Sequence, residues 1–157
     1  EEAVSIMDRI IARVERDPHY RTAIDAQTPD PKPDAADAIC DALRRVTQTL
    51  PVAATVTFTS SGSTSIRAAR ERPEAPILSL TPNLSTSRML ALVWGVHSVQ
   101  SEDVRHVTDM VNDACRIALR DGFAVDGEPL VIAAGMPFGI AGTTNPRSVS
   151  TATPMFT

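Results

Sequence analysis

Residues Thr55 to Arg72 read TVTFTSSGSTSIRAARER, and the fold turns on how this stretch is read. It opens with an apolar, β-branched run, Thr55-Val56-Thr57-Phe58, which suits a buried strand. It passes through Thr59-Ser60-Ser61-Gly62-Ser63-Thr64 and then takes up helical spacing with three arginines, Arg67, Arg70 and Arg72. A strand that feeds a hydroxyl- and glycine-rich turn into a helix N-terminus presents outward N–H groups, the positive end of a helix dipole and several hydroxyls. The pattern predicts an anion site at 59–64 that suits a phosphate. It is not a Walker loop, because no Gly-Lys-Ser/Thr follows. The plainer alternative is that Ser63 or Thr64 caps the next helix.

Working outward, the chain alternates helices and strands. Residues 2–16 carry Val4, Met7, Ile11 and Val14 at helical spacing, which predicts an amphipathic helix. The prolines that follow predict an exposed connector over 19–33. Asp34 is placed to cap a helix over 35–50, with Ile39, Leu43, Val46 and Leu50 facing in. After the 55–58 strand and a helix over 63–71 come a strand at 77–80, a helix over 84–93 and a strand over 94–99. Ser101 is read as the cap of a long helix to Arg120, with Val104, Val107, Val111, Ala114 and Ala118 inward and Gly122 as its left-handed C-cap. Leu130-Val131-Ile132-Ala133-Ala134 reads as a buried strand. A second glycine-rich turn follows at 135–145, then an edge strand over 147–152.

This order predicts an α/β fold: a three-layer α/β/α sandwich around a mostly parallel five-stranded sheet, its last strand an antiparallel edge. Residues 1–157 read as one domain. Both glycine-rich turns follow strands, so both should sit on the rim at the carboxyl ends of the sheet, where open α/β sheets bind ligands.

Composition narrows the function classes. The formal net charge of −4 disfavours a nucleic-acid partner. No apolar run is long enough to span a bilayer. Cys40 and Cys115 fall in predicted helices and read as reduced core residues of a cytoplasmic protein. The chain opens on Glu1-Glu2 in helical periodicity, which reads as a piece of a longer protein. His19, His97 and His106 show no metal-ligand spacing, and no Gly-x-Ser-x-Gly elbow is present. Asp109 and Asp113 read as a solvated acidic face. Arg67, Arg70 and Arg72 are candidates for bidentate contact with phosphate. A hydrolase using a serine from 60–64 stays open as another class of function.

Several strings together resemble the C-terminal domain of pyruvate kinase. They are Phe58 to Thr64 with Arg67 to Arg70 and Arg72-Pro73; Pro76-Ile77 through Thr81-Pro82-Asn83; Ser87 to Leu92 with Trp94-Gly95-Val96; Val131 to Gly139; and Gly142 to Asn145. Glu2-Ala3-Val4 with Met7 resembles the segment that ends that family's catalytic barrel, so 1–16 is expected as the linking helix. The resemblance implies a regulatory and subunit-interface domain with no catalytic residue and no cofactor or metal of its own. The parent enzyme would transfer phosphoryl from phosphoenolpyruvate to ADP in glycolysis, with Mg²⁺ and K⁺. Implied partners are the chain's own catalytic barrel, further copies in a homotetramer, and a phosphorylated effector. Carried over by position, the effector site is Thr59, Ser60, Ser61, Gly62, Ser63 and Thr64 with Gly139, Gly142 and Thr143. Members regulated by a sugar bisphosphate add a basic residue on the long helix, near Met110 here. Asp109 and Val111 flank that place, so a sugar monophosphate or nucleotide monophosphate is expected ahead of fructose 1,6-bisphosphate. A stand-alone phosphate-binding or oligomerisation module is the alternative.

Overall fold

A computed structural model describes residues 1–27, 33–104, 106–134 and 145–151. The chain divides into two compact units, Glu1–Asp30 and Pro31–Thr157, where the sequence reading takes it as one domain. The first unit holds α1 (Glu2–Glu15) and α2 (Pro18–Gln27). The connector expected over 19–33 is thus helical through Gln27. Pro18 sits in the first turn, where its missing N–H costs nothing, and Asp17 Oδ1 accepts from the His19 N–H at 2.8 Å. The proline cluster starts at Pro29, beyond that helix. Val4, Ile6, Met7, Ile10, Ile11 and Val14 of α1 are all exposed.

The second unit runs α3 (Ala35–Thr49), β1 (Ala54–Phe58), α4 (Ser63–Arg70), β2 (Ile77–Thr81), α5 (Leu84–Leu90), β3 (Val96–Gln100), α6 (Val107–Arg120), β4 (Pro129–Ala134) and β5 (Asn145–Thr151). Four strands make the parallel sheet, in the order β3-β2-β1-β4, and β5 lies antiparallel against β4. The sequence reading counts five strands in the sheet; the parallel sheet itself has four. Strand order reverses at β1. The chain leaves β1 toward β2 and β3, then returns through α6 to β4 on the other side. That reversal makes the carboxyl ends of β1 and β4 a topological switch point.

Side chains alternate across each strand, and the two faces meet different helices. Val56, Phe58, Leu78, Leu80, Leu130 and Ile132 form one core with Met110, Ala114, Ile117 and Ala118 of α6. Ile77, Val131 and Ala133 form the other, with Cys40 and Leu43 of α3 and Ala68 and Ala69 of α4.

Local signals explain most element ends. Asp34 caps α3 by accepting from the Asp37 N–H at 2.9 Å. Gly122, at φ +76°, ends α6, with Phe123 N–H donating back to the Ala118 carbonyl at 2.9 Å. Two helices differ from their sequence patterns. The buried stripe of α3 is Ala36, Cys40, Leu43 and Thr47, and Leu50 is exposed. The helix turns this way because Asp37 faces arginines on α4. The helix α6 begins at Val107, because Ser101 extends the ladder of β3 through its N–H to the Thr81 carbonyl at 3.0 Å. Val104 reaches the core from non-helical backbone. The inward stripe of α6 shifts accordingly to Met110, Ala114, Ile117 and Ala118.

Candidate functional site

The turn 59–64 leaves the carboxyl end of β1 and opens α4. Thr59 starts it as a continuation of the sheet, its N–H donating to the Leu80 carbonyl at 3.1 Å. Its side chain then closes the turn: Thr59 Oγ1 accepts from the Gly62 N–H at 2.9 Å. Gly62 is the N-cap of α4 at φ +88°, a left-handed backbone that L side chains rarely adopt. Space is short there as well, because a Cβ would lie 2.7 Å from Met89 Cε of α5. So neither Ser63 nor Thr64 caps the helix; they occupy its first two positions.

The six predicted site residues therefore divide by role. Thr59, Gly62 and Thr64 are buried and build the turn; Ser60 and Ser61 are exposed and Ser63 is half-buried. Ser61 Oγ donates to Ser63 Oγ at 3.2 Å, which gathers two of the accessible hydroxyls beside the α4 N-terminus. The Ser61 N–H has no acceptor among the described residues. The first N–H groups of α4 have no intrahelical acceptors by helix geometry. This arrangement can donate several hydrogen bonds to one small anion.

A contact that sequence reasoning did not connect holds the turn from the side. The Ser60 carbonyl accepts from Asn83 Nδ2 and from Thr86 Oγ1, each at 2.9 Å. Both donors lie at the start of α5, on the neighbouring strand's rim. The Thr81-Pro82-Asn83 turn and the hydroxyl cluster at 85–87 were visible in the chain, yet nothing local ties them to Ser60. Beneath the turn, Ser65 is fully buried and joins Thr57 at 2.8 Å and Ser79 at 2.7 Å, which ties α4 to β1 and β2.

Gly139, Gly142 and Thr143 lie outside the described residues. The strands that flank their segment are described, however. Ala134 pairs with Phe58 on one side and with Asn145 on the other. Ala134 and Asn145 thus stand at the same rim from which 59–64 departs.

The three arginine candidates have other partners. Arg70 bonds Asp37 at 2.7 Å and Glu71 at 3.0 Å, and Arg67 lies 3.4 Å from the same Asp37, whose side chain is 1% exposed. These carboxylates hold the Arg70 guanidinium protonated above its ordinary range, mainly by hydrogen bonding. Arg72 stacks 4.2 Å over the Trp94 ring. Burial beside Glu71 and Asp37 pushes the Cys40 thiol up to about 12, so it stays protonated and inert.

Other candidates take structural places. His97 stands 3.9 Å from Asp121 and 5.0 Å from the Phe123 ring. Among the described residues no histidine bonds a serine of the turn, so no nucleophile–base pair forms there. Asp113 binds Arg116 at 2.6 Å. No group of three metal-ligating side chains occurs among the described residues, and no described helix is long and apolar enough to cross a membrane. Met110 is 2% exposed in the α6 core, so its place on the long helix is a packing position.

The family model described as "Pyruvate kinase, alpha/beta domain" matches residues 37–150. A pyruvate kinase of Methylorubrum extorquens is 42% identical over 144 residues, covering 92% of this chain and 30% of that protein. One from Agrobacterium vitis is 38% identical over 96% of this chain and 32% of its own length. One from Geobacillus stearothermophilus is 38% identical over 92% of this chain and 24% of its own length. The chain thus spans about a third or less of these relatives.

Proposed function

The chain belongs to the pyruvate kinase alpha/beta domain family, and from that premise we propose that it is the regulatory and subunit-interface part of a pyruvate kinase, carrying a phosphorylated-effector site at 59–64. The parent enzyme would convert phosphoenolpyruvate and ADP to pyruvate and ATP in the cytoplasm, using Mg²⁺ and K⁺ held elsewhere. This piece turns nothing over by itself. It forms a three-layer α/β/α body and assembles into a homotetramer with its own barrels.

One observation carries the effector reading: a turn with three accessible hydroxyls opens a helix N-terminus at the switch point of the sheet. Ser60 and Ser63 donate to the anion, Ser61 joins them when its hydroxyl turns from Ser63, and the dipole of α4 favours the charge. By the family resemblance, Gly139, Gly142 and Thr143 complete the site. Arg67, Arg70 and Arg72 are engaged elsewhere, so dipoles and hydroxyls carry much of the charge compensation. That suits one phosphate better than two, and hence a sugar or nucleotide monophosphate over fructose 1,6-bisphosphate. The exposed apolar residues of α1, among them Met7, Ile10 and Val14, fit a surface covered by the catalytic barrel.

Calorimetry with glucose 6-phosphate, AMP and inorganic phosphate tests the site. Ser61→Asp places a carboxylate at an exposed position in the mouth of the turn and is expected to abolish binding with little loss of stability. Binding unchanged by that substitution would move the site elsewhere. Gly62→Asp is a poorer probe. Its φ of +88° and the approach of Met89 mean that any side chain there deforms the turn itself.

A further inference from the structure

We propose that Asn83 and Thr86 are positioning residues that aim the 59–64 turn at its ligand by gripping the carbonyl of Ser60; this deepens the effector reading and rests on it. A carbonyl that accepts two side-chain hydrogen bonds at 2.9 Å has both lone-pair directions occupied. The grip fixes more than the oxygen. In a trans peptide the C=O of one residue and the N–H of the next lie in one plane and point opposite ways. Pulling the Ser60 carbonyl toward α5 therefore turns the Ser61 N–H away from α5. That N–H, like those of Ser60 and Ser63, has no acceptor among the described residues. Two donors on α5 thus set the direction of a donor on the neighbouring loop.

The contact is more than incidental packing. Its donors lie 23 and 26 residues from Ser60, so the sheet must be in register for them to meet it. Their own placement is supported: the Asn83 N–H donates to Thr81 Oγ1 at 3.3 Å, and Gln100 Nε2 holds the Pro82 carbonyl at 3.2 Å. Thr86 also has two jobs that can be separated. Its hydroxyl holds Ser60, while its Cγ2 lies 3.4 Å from where a Cβ on Gly62 would stand.

That division supplies the experiment. Thr86→Val keeps the methyl contact and removes the donor; Thr86→Ser keeps the donor and removes the methyl. Calorimetry on the 157-residue chain with glucose 6-phosphate and with inorganic phosphate should find T86V about 3- to 10-fold weaker, the range one lost hydrogen bond supports. T86S should stay within about twofold of the parent. With glucose 6-phosphate bound, amide exchange at Ser61 should be faster in T86V than in the parent, while the melting midpoint of the free chain holds. Asn83→Ala, at an exposed position, should weaken binding in the same range and serves should T86V not fold. Binding by T86V and N83A at the parent's affinity overturns the grip, as does equal weakening in T86V and T86S, which would assign the effect to packing. Failure of the unaltered chain to bind either probe overturns the effector reading, and this inference with it.

Discussion

On the α6 side of the sheet, β1 offers Ala54, Val56 and Phe58 to a helix whose inward residues are Met110, Ala114, Ile117 and Ala118. On the α3–α4 side the same strand offers Thr55 and Thr57, and β2 adds Ser79 beside Ile77. The first face holds by burial alone. The second uses small apolar residues around a polar layer: the Thr57–Ser65–Ser79 chain of hydroxyls and the Asp37 carboxylate between Arg67 and Arg70. Burial is non-directional, so it stabilises the sheet without deciding how a helix is rotated on it. Hydrogen bonds and ion pairs are directional. They lie where α4 must be placed so that its N-terminus, and the turn before it, stand in one orientation. The polar layer is also incompletely satisfied: Thr55 Oγ1 and Glu71 Oε2 are buried with no hydrogen-bond partner among the described residues. Stability is thus concentrated on one face and placement on the other.

The largest test of that contrast is Leu80→Ala, at a fully buried site of the apolar face. It should cost about 2–5 kcal/mol in urea unfolding without altering which phosphorylated probe binds. Ser65→Ala, on the polar face, should cost less, about 1–3 kcal/mol, because the Thr57 and Ser79 hydroxyls lose their shared partner inside the protein. It should nonetheless weaken probe binding, since α4 loses its tie to both strands. If Ser65→Ala left binding intact while Leu80→Ala abolished it, the division between the faces would be wrong.

The smallest effect is read with pH. Burial raises the Cys40 thiol from 9.0 to about 12, with Glu71 and Asp37 adding to the rise. Its contribution is therefore complete below pH 9 and falls as pH climbs from 9 toward 12, because the unfolded chain ionises first. Melting midpoints should decline between pH 8.5 and 10.5 more steeply in the parent than in Cys40→Ala. Parallel declines would mean that the thiol is not sealed in the polar face.

The relation of sequence to structure follows the same line. The strand at 55–58, the caps at Asp34 and Gly122, and the order of helices and strands were legible because each depends on neighbours within a few residues. The family was legible in strings such as Phe58 to Thr64 and Val131 to Ala134, which the match over residues 37–150 bears out. The helical rotation of α3 was not legible: Ile39, Val46 and Leu50 suggest one stripe, while Asp37 pairing with Arg70, 33 residues on, selects another. The start of α6 was misread for a related reason. Ser101 looks like a cap, but the ladder from Thr81 claims its N–H.

The candidate site divides similarly. The chain by itself determined that residues 59–64 form a hydroxyl-rich bend between a strand and a helix, because composition and periodicity act locally. Only the tertiary structure decided that Gly62 is the cap, that Thr59 and Thr64 are buried while Ser60 and Ser61 face out, and that Asn83 and Thr86 hold the Ser60 carbonyl. Those outcomes depend on the register that sets Phe58 beside Leu80 and Ala134. Register is a property of paired strands, and no single stretch of chain contains it.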